Sequence, residues 1–162
     1  MRFMMIVIPK GYESAPADAM PDAETVGAMD RYNNELLKAG VVLAMDGLHP
    51  PSTGVRVTFP GGKPVLKDGP FPEAKEVVGG FWLIDVKSKA EALKWAKRIP
   101  GGDDMTVEVR QVQEWDDFTP EVQAAAKNEE KIRKTLEKKQ KAARKALKKK
   151  AGKKSAKRKQ EK

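Results

Sequence analysis

All ten aromatic residues of this chain, five Phe, three Trp and two Tyr, lie before position 120. Aromatic side chains bring the largest apolar areas to a core, so only the first part of the chain has the material to build one. Charge divides at the same point. Residues 1–120 hold 14 Lys+Arg against 18 Asp+Glu, a balance of −4, whereas residues 121–162 hold 18 against 5, a balance of +13. The formal net charge of +9 therefore describes neither part. The expected organisation is a mildly acidic folded domain over 1–118, a basic helical extension over 119–150 and a disordered Lys-rich tail over 151–162.

Composition excludes several classes of chemistry. There is no cysteine, hence no disulfide framework, thiolate nucleophile or cysteine-based zinc site. A single histidine rules out a histidine-rich metal cage within one chain, and neither a metal nor a cofactor is expected. No apolar stretch approaches the roughly 18 residues of a membrane span. The run Phe3–Ile8 is short and lacks a small-residue cleavage site, so it does not read as a signal peptide. A cytoplasmic protein is the expectation. No G-x-G-x-x-G, Walker or serine-elbow pattern occurs, and Gly79-Gly80 is not a phosphate loop.

Hydrophobic periodicity orders the first part. Met1–Ile8 reads as a buried strand stopped by Pro9-Lys10-Gly11. Asp22 is placed to cap a helix that runs to Ala39 and ends at Gly40. Val41–Ala44 is a second strand and Gly54–Phe59 a third, with Val55, Val57 and Phe59 on one face and Arg56 and Thr58 on the other. A short strand follows near Val65-Leu66. Val77–Val86 is apolar on both parities, as a central strand covered on both faces is. Ser88 and Glu91 have capping-box spacing before a helix to Ile99, and residues 105–112 alternate as a last strand. Allowing for the short extra strand, this β–α–β–β–β–α–β order is the split βαβ, ferredoxin-like pattern of an α+β fold, with a hairpin between its halves. Two helices cover one face of such a sheet. The other face needs a partner or a ligand, and a homodimer packed sheet to sheet supplies one.

The segment Lys67-Asp68-Gly69-Pro70-Phe71-Pro72-Glu73-Ala74-Lys75-Glu76 resembles the signature of the DGPF proteins of the YciI-like (YCII-related) superfamily. Several other stretches resemble that family in the same order: Met1–Val7, the turn Gly47-Leu48-His49-Pro50, Gly79–Ile84, the Glu91–Pro100 helix and Glu108-Val109-Arg110. Gln111 stands where the family commonly has proline, Pro72 where it often has alanine, and the basic tail has no counterpart. Over roughly residues 1–115 the resemblance implies a ferredoxin-like, dimeric α+β barrel with a cavity between the sheets. It also implies a His–Asp pair, for which His49 and Asp68 are the natural candidates. Asp68 would orient and stabilise the imidazolium while His49 transfers the proton, giving lyase- or hydrolase-like chemistry.

Each candidate also has a plainer reading. Asp68-Gly69-Pro70 is first of all a turn, in which Gly permits positive φ and Pro fixes the next φ. His49, beside two prolines, reads equally as an exposed loop residue. Arg56 and Arg110 are suited to an anionic group of a small polar ligand, or to salt bridges, with Glu108 a partner for Arg110. Phe71 is placed with them at the ligand pocket, while Trp82 and Trp95 read as core. A binding or regulatory module without catalysis is the alternative to an enzyme.

Thr119-Pro120-Glu121 marks a helix start. Val122, Ala125-Ala126, Ile132, Leu136, Ala143 and Leu147 form a narrow, alanine-rich apolar stripe. The candidate phosphate-contacting residues are Lys138, Lys139, Lys141, Arg144, Lys148, Lys149 and Lys150. A tail of this composition suits non-specific nucleic-acid contact, with simple solubilisation as the plainer role. Bulky apolar residues are too few for a membrane surface.

Overall fold

Four antiparallel strands make the main sheet, in the order β2-β5-β1-β6: β1 (Arg2–Pro9), β2 (Val42–Gly47), β5 (Gly80–Asp85) and β6 (Met105–Gln111). Two further strands, β3 (Val55–Thr58) and β4 (Val65–Asp68), pair only with each other. Helix α1 (Ala23–Ala39) connects β1 to β2, and α2 (Lys89–Ala96) connects β5 to β6. These are the features of a computed structural model that describes residues 1–126 and 128–160, with side chains to residue 143 and at 145. Read in chain order, the sheet is the ferredoxin-like arrangement, with the β3–β4 hairpin inserted between its halves. The chain divides into two units, Met1–Val112 and Gln113–Lys162.

Local chemistry sets the helix limits. The Asp22 carboxylate accepts from the Thr25 amide at 2.7 Å, and Gly40 closes α1 at φ 71°, the left-handed conformation that glycine adopts without strain. Ser88 Oγ accepts from the Glu91 amide at 3.2 Å, and the Glu91 carboxylate reaches back to the Lys87 amide at 2.9 Å. α2 ends at Ala96 rather than Ile99, its last carbonyls being taken up by turn hydrogen bonds from Lys97, Arg98 and Ile99.

Strand alternation aims Phe3, Met5 and Val7 of β1, with Trp82 and Ile84 of β5, at the helices. There they meet Tyr32 and Leu36 of α1 and Ala92 of α2. Tyr32 and Trp82 stand edge to face at 5.5 Å. Their polar tips are bonded, Trp82 Nε1 to Asn33 Oδ1 at 2.7 Å and Tyr32 Oη to the Trp95 carbonyl at 3.0 Å. Burial pushes the Tyr32 hydroxyl pKa up.

The opposite parity of the sheet faces away from α1 and α2. Pairing puts Asp46, Phe81, Ile6 and Glu108 in one cross-strand row and Ala44, Leu83, Met4 and Arg110 in the next. Its apolar members Met4, Ile6, Phe81 and Leu83 are half-buried. β5 begins at Gly80, three residues later than the apolar pattern from Val77 suggests. The chain enters the sheet through two close approaches, since a Cβ on Gly79 would lie 2.6 Å from Pro9 Cγ and one on Gly80 2.9 Å from the Asp46 carbonyl oxygen. Residues 77–79 follow that entry rather than the strand.

Among its described residues the second unit holds two α-helices where the sequence reads as one, α3 (Pro120–Ala125) and α4 (Glu129–Gln160). Ala126 leaves the helical region at φ −105°, ψ 47°, and Asn128-Glu129-Glu130 supplies a second helix start, a capping residue type followed by acids. α4 continues to Gln160, past position 151 where the sequence places the start of a disordered tail. No helix among the described residues is long and apolar enough to cross a membrane.

Candidate functional site

The signature segment begins where β4 ends. Val55 pairs with Asp68 across the hairpin, and the next amide, Gly69, donates to the Gly54 carbonyl at 2.8 Å. Gly69 lies so close to the loop after β2 that a Cβ there would stand 1.9 Å from the Pro51 carbonyl oxygen. Positive φ occurs at Gly11, Gly40, Gly61 and Gly62 and not at Gly69. Glycine is therefore required here for close backbone approach, which corrects the expectation drawn from the turn alone. The Gly69–Pro70 peptide is cis.

His49 sits on the other side of the same junction, two residues before Pro51. The backbone on both sides of it is fixed. Leu48 donates its amide to the Gly79 carbonyl at 2.9 Å and accepts from the Tyr12 hydroxyl at 2.7 Å. Pro50 is fully buried, and its carbonyl accepts from the Thr53 amide at 3.0 Å and the Thr53 hydroxyl at 2.9 Å. Between these anchors the His49 side chain is exposed, as is that of Asp68. No hydrogen bond or ion pair joins the two side chains among the described residues. The junction thus presents two exposed titratable groups on a backbone held from several directions.

Beneath the junction the signature folds back on the hairpin. Phe71 is buried, with the Arg56 guanidinium 4.0 Å above its ring centroid, a cation–π arrangement. Arg56 Nη1 donates to Glu73 Oε1 at 2.7 Å, and Lys67 Nζ reaches the two Glu73 oxygens at 3.1 and 3.2 Å. Arg56 and Lys67 are cross-strand partners, so one carboxylate clamps both strands. Its own backbone amide, and then the Lys67 ammonium, hold the Glu73 carboxyl below the usual carboxylate range.

The sequence candidates thus fall in different places. His49 and Asp68 flank one junction. Arg56 and Phe71 meet each other beside it, Arg56 engaged by Glu73 and Phe71 closed off from solvent. Arg110 lies on β6, in the sheet row facing away from the helices, with Nε 3.5 Å from Glu108 Oε1. Trp82 is core, and Trp95 is half-buried with the Arg98 guanidinium 4.6 Å above its ring centroid. Lys138, Lys139 and Lys141 are exposed on α4, while the side chains of Arg144, Lys148, Lys149 and Lys150 lie outside the described residues. Sequence reasoning missed the Tyr12 brace, the burial of Pro50 and the Glu73 clamp. Only the last left a local signal, an acid six residues after a lysine across a D-G-P turn.

A ferredoxin-like sheet with an inserted hairpin followed by a D-G-P-F segment defines the class of this domain. The YCII-related domain model matches residues 1–116, and the chain belongs to that family. A Rhizobium meliloti (strain 1021) protein described as "Uncharacterized protein R00369" is 28% identical over 85 residues, 52% of this chain and 68% of that protein.

Proposed function

We propose that the YCII-related domain is a cytoplasmic homodimer that holds a small polar or anionic molecule between two facing sheets, where His49 and Asp68 exchange a proton with it. The observation that carries this reading is the backbone junction. A histidine and a carboxylate on fixed backbone, both exposed and flanking one contact between Pro51 and Gly69, are preorganised for a ligand and need little rearrangement to meet it. Asp68 orients the imidazole and stabilises its charged form; His49 gives or takes the proton. Arg110 is available to an anionic group on the sheet face. Arg56 and Phe71 form the wall behind the junction. The lack of a bond between His49 and Asp68 within one chain favours, as a second reading, a binding module that uses the same cavity without turnover.

Thermal-shift screening of the full chain against small carboxylates and phosphorylated compounds tests both readings. A true ligand at about 100 times its Kd stabilises by about 2.7 kcal/mol, and His49→Ala and Asp68→Ala are expected to abolish that gain. Consumption of the compound by the wild type alone supports proton-transfer catalysis, whereas binding without consumption supports the module. A gain retained in full by both variants places the ligand elsewhere and ends the His49–Asp68 assignment.

A further inference from the structure

The ion pairs of α4 sort its charges into two groups. At its start each acid pairs with a base one turn later: Arg133 Nε with Glu129 Oε1 at 2.9 Å, and Lys134 with Glu130. Arg133 also donates from Nη1 to the Gln113 carbonyl at 2.9 Å and stands 5.6 Å over the Phe118 ring centroid. These cations serve the second unit itself. After Glu137 the balance changes. Residues 138–160 contain 13 Lys and Arg and no acid, and Lys138, Lys139, Lys141 and Lys145 are exposed.

Because the helix is continuous to Gln160, this stretch is a rod about 35 Å long at about 1.5 Å per residue. It carries a cation every ~2.7 Å, against one phosphate per about 1.7 Å of duplex axis. At about 100° per residue, the basic positions from 138 to 150 occupy an arc of about 240°, leaving Gln140, Ala143 and Leu147 in the remainder. A single basic stripe would meet one line of phosphates. An arc this wide suits a groove with phosphates along both walls, and the major groove of B-form DNA admits an α-helix. The uncharged remainder is too narrow and too poor in large apolar residues for a membrane surface. No aromatic residue follows Phe118, so the rod has no platform on which single-stranded bases would stack.

We propose that residues 138–160 of α4 bind duplex nucleic acid through its phosphates without reading its sequence, and that Arg133 and Lys134 instead maintain the helix. This assignment stands apart from the reading of the YCII-related domain. The test compares three full-length proteins on duplexes of unrelated sequence across salt: the wild type, a variant with Lys138, Lys139, Lys141, Arg144, Lys148, Lys149 and Lys150 changed to Gln, and Arg133→Gln/Lys134→Gln. Thermal melting of the domain confirms that each is folded. The wild type is expected to bind both duplexes equally and to lose roughly 10³-fold or more in affinity between about 50 and 200 mM salt. The Gln-substituted rod is expected to flatten the log–log salt slope by up to about 6, at about 0.9 per phosphate, while Arg133→Gln/Lys134→Gln keeps the wild-type slope. Three results would overturn the proposal: no duplex binding at low salt, equal slopes for the wild type and the rod variant, or tighter binding to phosphatidylserine vesicles or single strands than to duplex.

Discussion

Gly69 illustrates how one atom organises the candidate site. A Cβ there would meet the Pro51 carbonyl oxygen at 1.9 Å and its carbon at 2.9 Å, both backbone atoms that a rotamer change cannot move. Gly69→Ala is therefore expected to cost about 1–3 kcal/mol through forced backbone displacement, read as a lower urea midpoint. Gly61→Ala supplies the contrast: φ is 59° but nothing lies within 4 Å, so only conformational strain opposes it. A smaller loss at Gly69 than at Gly61 would contradict the close-approach account. The sequence announces a turn at Asp68-Gly69-Pro70. It does not announce that the glycine is pressed against Pro51, because that contact depends on where the loop after β2 is pinned by Tyr12 and Pro50.

The hairpin shows the same limit at the level of an element. Its alternation is plain in the sequence, yet the apolar parity is the outer one: Val55, Val57 and Leu66 are 53, 50 and 69% exposed, while Arg56 turns toward Phe71. Periodicity separates two faces and does not say which will be covered. Here Phe71, in the segment that folds back after β4, decides. The clamp on this face has a pH signature. The Glu73 carboxyl is held below its ordinary value of 4.5. Its contribution to stability is therefore complete above that value and is lost as pH falls through the lower, folded-state value. Glu73→Gln is expected to be less stable than the wild type at neutral pH, with the difference closing below pH 4.5. A stability difference that stays constant from neutral pH to acid, followed by denaturant titration, would contradict the clamp. The helices were more legible: Asp22, Gly40 and Ser88 mark α1 and α2 in the sequence because capping is local chemistry. The break between α3 and α4 was harder to see, since the apolar stripe runs on through it.

For the whole molecule, the family match covers residues 1–116, and the chain divides into the units Met1–Val112 and Gln113–Lys162. The ferredoxin-like order was legible because each element carries its own period. The association of chains is a property of a surface, and strand order alone does not fix it. In the proposed homodimer the sheet face carrying Met4, Ile6, Phe81 and Leu83 is the contact between two copies, with the His49–Asp68 junction at the cavity so formed. Sedimentation equilibrium of the full chain at micromolar concentration tests this most directly, with Leu83→Glu and Ile6→Glu as partners. The account predicts twice the 17.9 kDa chain mass for the wild type and a single-chain mass for both variants with their thermal melting retained. A wild-type chain that sediments as a monomer, or folded variants that remain dimeric, would contradict it.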